Sequence, residues 1–275
     1  MPQTHSPVSF DDIQTAFAHK NNQELRKTFW LYKMMNYPRL VRWGTRLLEV
    51  TLGLPPIQWM VRQTLFRLFV GGESLEDCLN SIKSLENEGV FSYLSFSSEG
   101  KDNETAYEAT YQETLKSIDF CKANPSVPFA VFKLTGMASF DLLEQLGVGE
   151  TLTPKAQQAW EKLRERVQNI CQRAYDQEVK LFIDAEETWI QNVIDQLAEE
   201  MMEKYNQEKP IIYNTYQMYR KAGLDLLKNS FQKAQEGNYF LGVKIVRGAY
   251  MEKERARALR LNYPDPINDS KKESD

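Results

Sequence analysis

Past residue 90 the chain alternates between two hydrophobic periods. Five runs of strand length are almost continuously apolar: "FSYLSF" (91–96), "FAVFKLTGM" (129–137), "VKLFIDAEE" (179–187), "IIYNTYQMY" (211–219) and "FLGVKIVRGAY" (240–250). Their centres are rich in β-branched and aromatic residues, and such unbroken apolarity predicts strands buried on both faces. Between them the spacing shifts to the three-to-four-residue repeat of amphipathic helices, over 105–124, 153–177, 189–207 and 219–237. Thr153 followed by Pro154 marks one helix start, because proline suits the first helical position and threonine caps it. Strand and helix in regular alternation predict a parallel α/β sheet.

Upstream of residue 90 the pattern is helical and the charge one-sided. "IQWMVRQTLFRLF" (57–69) places Ile57, Met60, Val61, Leu65 and Leu68 at helical spacing, with Arg62 and Arg67 among them. From Lys20 to Arg67 the cations are Lys20, Arg26, Lys27, Lys33, Arg39, Arg42, Arg46, Arg62 and Arg67, against Glu24 and Glu49. Two readings stand: a helix for a membrane surface or a partner, or an N-terminal arm packed on the main domain. "GGE" at 71–73 then breaks the pattern. The expected division is a helical arm over 1–85 and an α/β domain over 86–275.

Composition narrows the function classes. The 275 residues are 42% hydrophobic and 26% charged, enough apolar material for a sizeable core. A net charge of -4 gives no reason to expect nucleic acid. Cys78, Cys121 and Cys171 are widely spaced, odd in number and without a CxxC pair, so free thiols are expected and no metal site. His5 and His19 are the only histidines, which argues against a Ser-His-Asp triad or a histidine-ligated metal. The N-terminus lacks a secretory pattern, and no apolar run is long enough to span a membrane, so a soluble, cytoplasmic-type protein is expected.

An open doubly wound sheet can be built from five strands, whereas a (β/α)8 barrel needs eight. No strand is followed by GxGxxG, so no dinucleotide-binding turn is marked. The placement of polar groups favours the barrel, whose functional residues gather at the C-terminal strand ends. The second run has Lys133 before Thr135-Gly136, and the third ends Asp184-Ala185-Glu186-Glu187. The fourth carries Tyr213-Asn214-Thr215 and Gln217, and the fifth Lys244 and then Arg247-Gly248-Ala249-Tyr250. Singly, each reads as well as a structural ion pair or a side chain reaching solvent. Four successive loaded strand ends point to one shared site.

"DAEE" (184–187), "YNTYQMY" (213–219) and "GVKIVRGAYMEKER" (242–255) together resemble the proline dehydrogenase family, and its single-function eukaryotic-type branch in particular. "FVGGE" (69–73) and "FKLTG" (132–136) agree, and the likeness runs from near Leu25 to the last residues. It implies a distorted (β/α)8 TIM-like barrel, incomplete here, that binds FAD and oxidises L-proline to Δ1-pyrroline-5-carboxylate, passing electrons to a membrane quinone. It also implies roles. Lys133 would bind the substrate carboxylate, Asp184 support hydrogen bonding beside substrate and flavin, and Gln217 contact the flavin. Lys244 would stand near the flavin N5, where many relatives carry arginine; lysine offers a point charge in place of a planar fork. Ile245 and Tyr250 would wall the proline ring. Arg247 would meet the FAD pyrophosphate, with Gly248 and Ala249 allowing close approach.

The family pattern continues for three more strands and a helix with an arginine pair. The chain is therefore expected to be truncated and inactive alone, its polar tail "INDSKKESD" being the loop before a missing strand. One competing expectation is a non-catalytic barrel fragment serving binding or assembly. The other is an enzyme on an open sheet that holds a phosphorylated substrate at Arg247-Gly248-Ala249. A quinone partner implies peripheral contact with an inner membrane, mitochondrial in a eukaryote, and the basic stretch suits such contact.

Overall fold

A computed structural model describes residues 12–18, 20–66, 69–96 and 102–275. His5, His19, Arg67 and Leu68 lie outside them. The chain divides into two compact units, Met1–Phe91 and Ser92–Asp275.

The first unit is helical: α1 (Ile13–Ala16), α2 (Asn22–Met35), α3 (Pro38–Thr51), α4 (Pro55–Val61) and α5 (Leu79–Glu86). Asn21 and Glu24 close α2 with reciprocal capping bonds, and Pro38 and Pro55 sit in the first turns of α3 and α4. The helix predicted over 57–69 is shorter: α4 gives way to a π-helical turn at Arg62–Phe66. No described side chain of α2, α3 or α4 is buried.

The second unit runs β1 (Tyr93–Leu94), α6 (Glu104–Ala123), β2 (Phe129–Phe132), a 3-10 turn (Leu134–Gly136), α7 (Phe140–Gly147), α8 (Pro154–Gln177), β3 (Lys180–Ile183), α9 (Thr188–Tyr205), β4 (Ile212–Gln217), α10 (Gly223–Glu236), β5 (Val243–Val246), α11 (Met251–Leu261) and α12 (Lys271–Ser274). The strands form one parallel sheet in chain order, β1-β2-β3-β4-β5, as the alternating pattern predicts. The strands are shorter than the apolar runs, because each run continues past its last ladder bond into the loop that carries polar groups. Helix α7 escapes the pattern reading; it is a short helix whose start Ser139 caps by accepting the Leu142 N–H.

The two sheet faces differ. Ala130, Leu181, Ile183 and Ile212 are fully buried on the helix-covered face. On the other face Phe129, Phe182 and Tyr213 are only half-buried, and Tyr93 is exposed. Burial of the strands on both faces is thus not what the structure has. A closed barrel fills its inner face with side chains from opposing strands, and these five strands do not close; β1 and β5 are edges among the described residues. Edge strand β5 is also uncovered on its other, helix-side face, where Ile245, predicted to be buried, is 56% exposed. Gly242 precedes β5 because nothing larger fits: a Cβ there would lie 2.1 Å from the Ile212 carbonyl oxygen and 2.9 Å from the Tyr213 ring.

The tail is not a free polar loop. Ile267 is fully buried and bridges antiparallel to Arg220. The Asn268 N–H donates to the Tyr219 carbonyl at 2.8 Å, and its side-chain amide donates to the Met218 carbonyl at 2.9 Å. One apolar residue with two strand-end carbonyls to satisfy is enough to fold this segment onto the end of β4.

Candidate functional site

Side chains alternate across a strand, so register decides which polar groups meet. Phe132 pairs with Ile183, Ile183 with Asn214, and Thr215 with Lys244. The Asp184 N–H continues the ladder by donating to the Phe132 carbonyl at 3.0 Å. One rung of the open face therefore carries Lys133, Asp184, Thr215 and Lys244, a cation, an acid, a hydroxyl and a cation.

Two contacts organise this rung. The Lys244 ammonium meets Asp184 Oδ1 at 2.6 Å, with both side chains largely shielded. It also lies 4.9 Å from the Phe182 ring centroid and 5.2 Å from that of Tyr93, so its stem and charge rest on aromatic faces. Those rings belong to a floor in which Phe129 stacks on Phe182 at 4.2 Å and Tyr213 meets both edge-on. Lys133 donates to the Tyr250 hydroxyl at 3.4 Å, its ammonium 6.0 Å from the ring centroid. Burial pushes the Tyr250 phenol up, while the neighbouring Lys133 charge pulls it back. Thr215 spends its hydroxyl on the Ile183 carbonyl at 2.8 Å.

The other residues singled out from the sequence fall around this rung in different ways. Gln217 is buried and engaged throughout: its amide donates to the Glu186 carbonyl at 2.6 Å and to the Tyr219 hydroxyl at 2.8 Å, and its oxygen accepts from Arg220 at 3.2 Å. Arg247, Gly248 and Ala249 lie in an exposed turn, with Arg247 paired to Asp275 at 2.6 Å. A Cβ on Gly248 would meet only the Met251 sulfur, at 3.4 Å, so the backbone there is open to close approach. Ile245 does not join the group. It pairs with Tyr216, one residue out of step with the Thr215–Lys244 pair, and so points to the opposite face. Val246 takes the inward place in β5.

Three further contributors have no role assigned from the sequence: Glu186, Thr135 and Tyr219. Glu186 accepts the Thr135 N–H at 3.1 Å and the Thr135 hydroxyl with its second oxygen. Burial pushes the Glu186 carboxyl up to about 7, against the pull of the Thr135 bonds and the Lys133 charge. The Tyr219 hydroxyl accepts from Gln217 and, at 3.4 Å, from the Tyr250 N–H, linking the ends of β4 and β5. The signals were present in "DAEE" and "LTG", an acid after a buried strand and a hydroxyl in a turn. Their partnership spans 51 residues, which no local spacing reveals.

The arrangement offers a flat aromatic floor, a shielded ammonium held by an acid, and a second ammonium beside a phenol. This donor set suits a planar ring system bearing negative charge, with a small carboxylate next to it. The exposed Arg247-Gly248-Ala249 turn suits a phosphate. Gln217 as arranged has no amide hydrogen left for such a ligand.

Residues 78–275 match the family model described as proline dehydrogenase. Over 188 residues the chain is 31% identical to the carbapenem antibiotics biosynthesis protein CarD of Pectobacterium carotovorum subsp. carotovorum, covering 68% of this chain and 50% of that protein. It is 28% identical to a hydroxyproline dehydrogenase of Xenopus laevis, covering 96% of this chain and 64% of the relative. The fold resembles proline utilization A from Bdellovibrio bacteriovorus, crystallised after inactivation by N-propargylglycine, with a TM-score of 0.66 and 16% identity over 94% of this chain and 28% of that one. The chain thus spans half to about two thirds of the length of these two curated relatives.

Proposed function

The chain belongs to the proline dehydrogenase family, and from that premise we propose that it serves the FAD-dependent oxidation of L-proline to Δ1-pyrroline-5-carboxylate in proline catabolism. The observation that carries the reading is the rung Lys133–Asp184–Thr215–Lys244 on an aromatic, open sheet face. On this reading residues 86–275 supply one part of the flavin barrel, and residues 1–85 form a helical arm.

FAD, when bound, would supply the two-electron redox chemistry at the substrate carbon next to nitrogen. The chain's own residues bind and polarise. Lys244 places fixed positive charge against the floor, where developing negative charge is best stabilised. Asp184 holds that ammonium at 2.6 Å and keeps it from swinging into solvent. Lys133, steadied by the Tyr250 hydroxyl, is the cation for the substrate carboxylate, and the Tyr250 ring is an apolar wall for the five-membered ring. Arg247, with Gly248 and Ala249, is the site for the cofactor pyrophosphate. Gln217 serves from behind, tying β4 to Glu186 and Tyr219.

These five strand-helix units alone are expected to show no sustained turnover, because the inner face stays open to water. Mixing the chain with FAD without oxygen and adding L-proline tests the reading. The visible flavin band should respond to L-proline and not to cyclopentylamine, which has a five-membered ring but no carboxylate. Equal response to both, or to neither, would remove the proline reading.

Electron transfer to a quinone requires a route to lipid, and α3 supports one. Trp43, Leu47 and Val50 are 75%, 65% and 84% exposed along one side, and Arg39, Arg42 and Arg46 line the adjoining side. Apolar and cationic stripes in this order suit an anionic bilayer surface, such as the inner membrane of a mitochondrion or a bacterium. No helix among the described residues is long and apolar enough to cross a membrane.

A further inference from the structure

We propose that Glu186 is a positioning residue for the carboxylate-binding end of the site, holding the turn after β2 through Thr135 and so setting the Lys133 ammonium against Tyr250. The part played by Lys133 rests on the functional reading above; the mechanical claim about Glu186 does not.

Glu186 is 3% exposed, and every polar group it owns is committed. Its carboxylate takes both the N–H and the hydroxyl of Thr135. Its own N–H donates to the Gln191 side chain at 2.8 Å, and its carbonyl accepts from Gln217 at 2.6 Å. One residue at the end of β3 therefore joins the end of β2, the first turns of α9 and the end of β4. Thr135 is two residues from Lys133, and the stretch between is a tight turn closed by Gly136 N–H to Lys133 carbonyl and Met137 N–H to Leu134 carbonyl bonds at 3.3 and 2.9 Å. Displacing Thr135 displaces Lys133.

A buried carboxyl costs several kcal/mol if it serves only as filler, since apolar residues of equal volume pack as well. Here its planar fork matches the N–H and the hydroxyl of a single residue, a geometry that a two-headed side chain supplies. Either both heads accept, or one accepts the N–H and the other donates to the hydroxyl oxygen. The charged and titratable groups that face it are Lys133, Glu187 and Tyr250. With burial holding the carboxyl near neutrality, its charge is divided between two forms at pH 7. The role therefore rests on the bonds to Thr135, which both forms can make.

Acylation of lysine amines, followed residue by residue with peptide mass spectrometry, tests this without cofactor or substrate. In Glu186→Ala, Lys133 should label several-fold faster than in the parent chain, while Lys228 on α10 labels unchanged. Glu186→Gln should restore the parent rate, because its amide oxygen accepts the Thr135 N–H and its amide nitrogen faces the Thr135 hydroxyl. Thr135→Val, which keeps the N–H bond alone, should fall between. An unchanged Lys133 rate in a folded Glu186→Ala chain overturns the proposal. So does a Glu186→Gln chain that labels like Glu186→Ala, which would make charge and not position the cause. If Glu186→Ala fails to fold, the Gln and Val variants decide: parent-like Gln with faster Val supports it, and both parent-like overturns it. In the flavin-loaded chain, Glu186→Ala should weaken L-proline about tenfold or more with FAD affinity unchanged. A chain that binds no proline would sink the functional reading and leave the labelling result standing.

Discussion

Asp184 and Lys244 are 60 residues apart in sequence and 2.6 Å apart in space, on a sheet face with water on one side. Removing either charge leaves the other shielded and poorly solvated. Asp184→Asn or Lys244→Met should each cost about 2–4 kcal/mol, and the double variant less than their sum, in a chemical-denaturation cycle. Additive losses would show that the pair is not coupled. Glu186 gives a pH signature of the opposite kind. Its folded pKa of about 7 lies above the ordinary 4.5, so the native state keeps a proton that the unfolded chain releases. Stability from this group is full below about pH 4.5 and is lost as pH rises through about 7. Asp195, raised by burial, acts with the same sign. Glu108, Asp119 and Glu178 are lowered and act oppositely, but only below their ordinary values of 4.5, 3.8 and 4.5. Thermal melts should therefore show a fall in stability between about pH 5 and pH 7.5 that Glu186→Gln flattens. Lys133, Asp184, Lys244 and Tyr250 were legible because strand ends loaded with polar groups stand out from apolar runs. Glu186, Thr135 and Tyr219 were not, because a bond between distant loops leaves no periodic trace.

At the scale of elements, α11 is fixed by bonds from its polar face. Glu254 is fully buried and accepts the Thr188 N–H at 2.6 Å and the Thr188 hydroxyl at 2.7 Å. Helix α9 has no side-chain cap at its own N-cap residue, Glu187, so a carboxylate from another helix supplies one. Lys253 pairs with Glu187 at 2.9 Å, and Arg257 lies 4.3 Å from the Trp189 ring centroid while pairing with Glu144. Tyr250, the N-cap of α11, inherits its position from these anchors. Glu254→Ala should cost about 1–3 kcal/mol. It should also raise amide exchange at the start of α9 and in α11 together; a rise in one helix alone would break the link. The main helices and the strand order were readable from periodicity. Strand lengths, α7 and the docked tail were not, since each depends on where a ladder bond or a buried isoleucine finds its partner.

At the scale of the molecule, five parallel strands cover one face with helices and leave the other half-open, and the N-terminal unit presents apolar and cationic stripes on α3. Vesicles of anionic lipid should co-sediment the chain at low salt, and added salt should release it. Trp43→Ser with Leu47→Ser should abolish binding; retention by neutral vesicles at every salt concentration would assign it to apolar contact alone. The barrel class was legible in the order of strands and in the motifs that resemble one family. The exposure of Ile245 was not, because a run of apolar residues does not say whether a helix covers the outer face of an edge strand. The most direct measurement is a titration of FAD into the parent chain and into Lys244→Met, read by the visible flavin band. Binding by the parent with a shifted band, and its loss in Lys244→Met, is the expected result. Equal binding by the two chains, or none by the parent, would contradict a flavin site on this face.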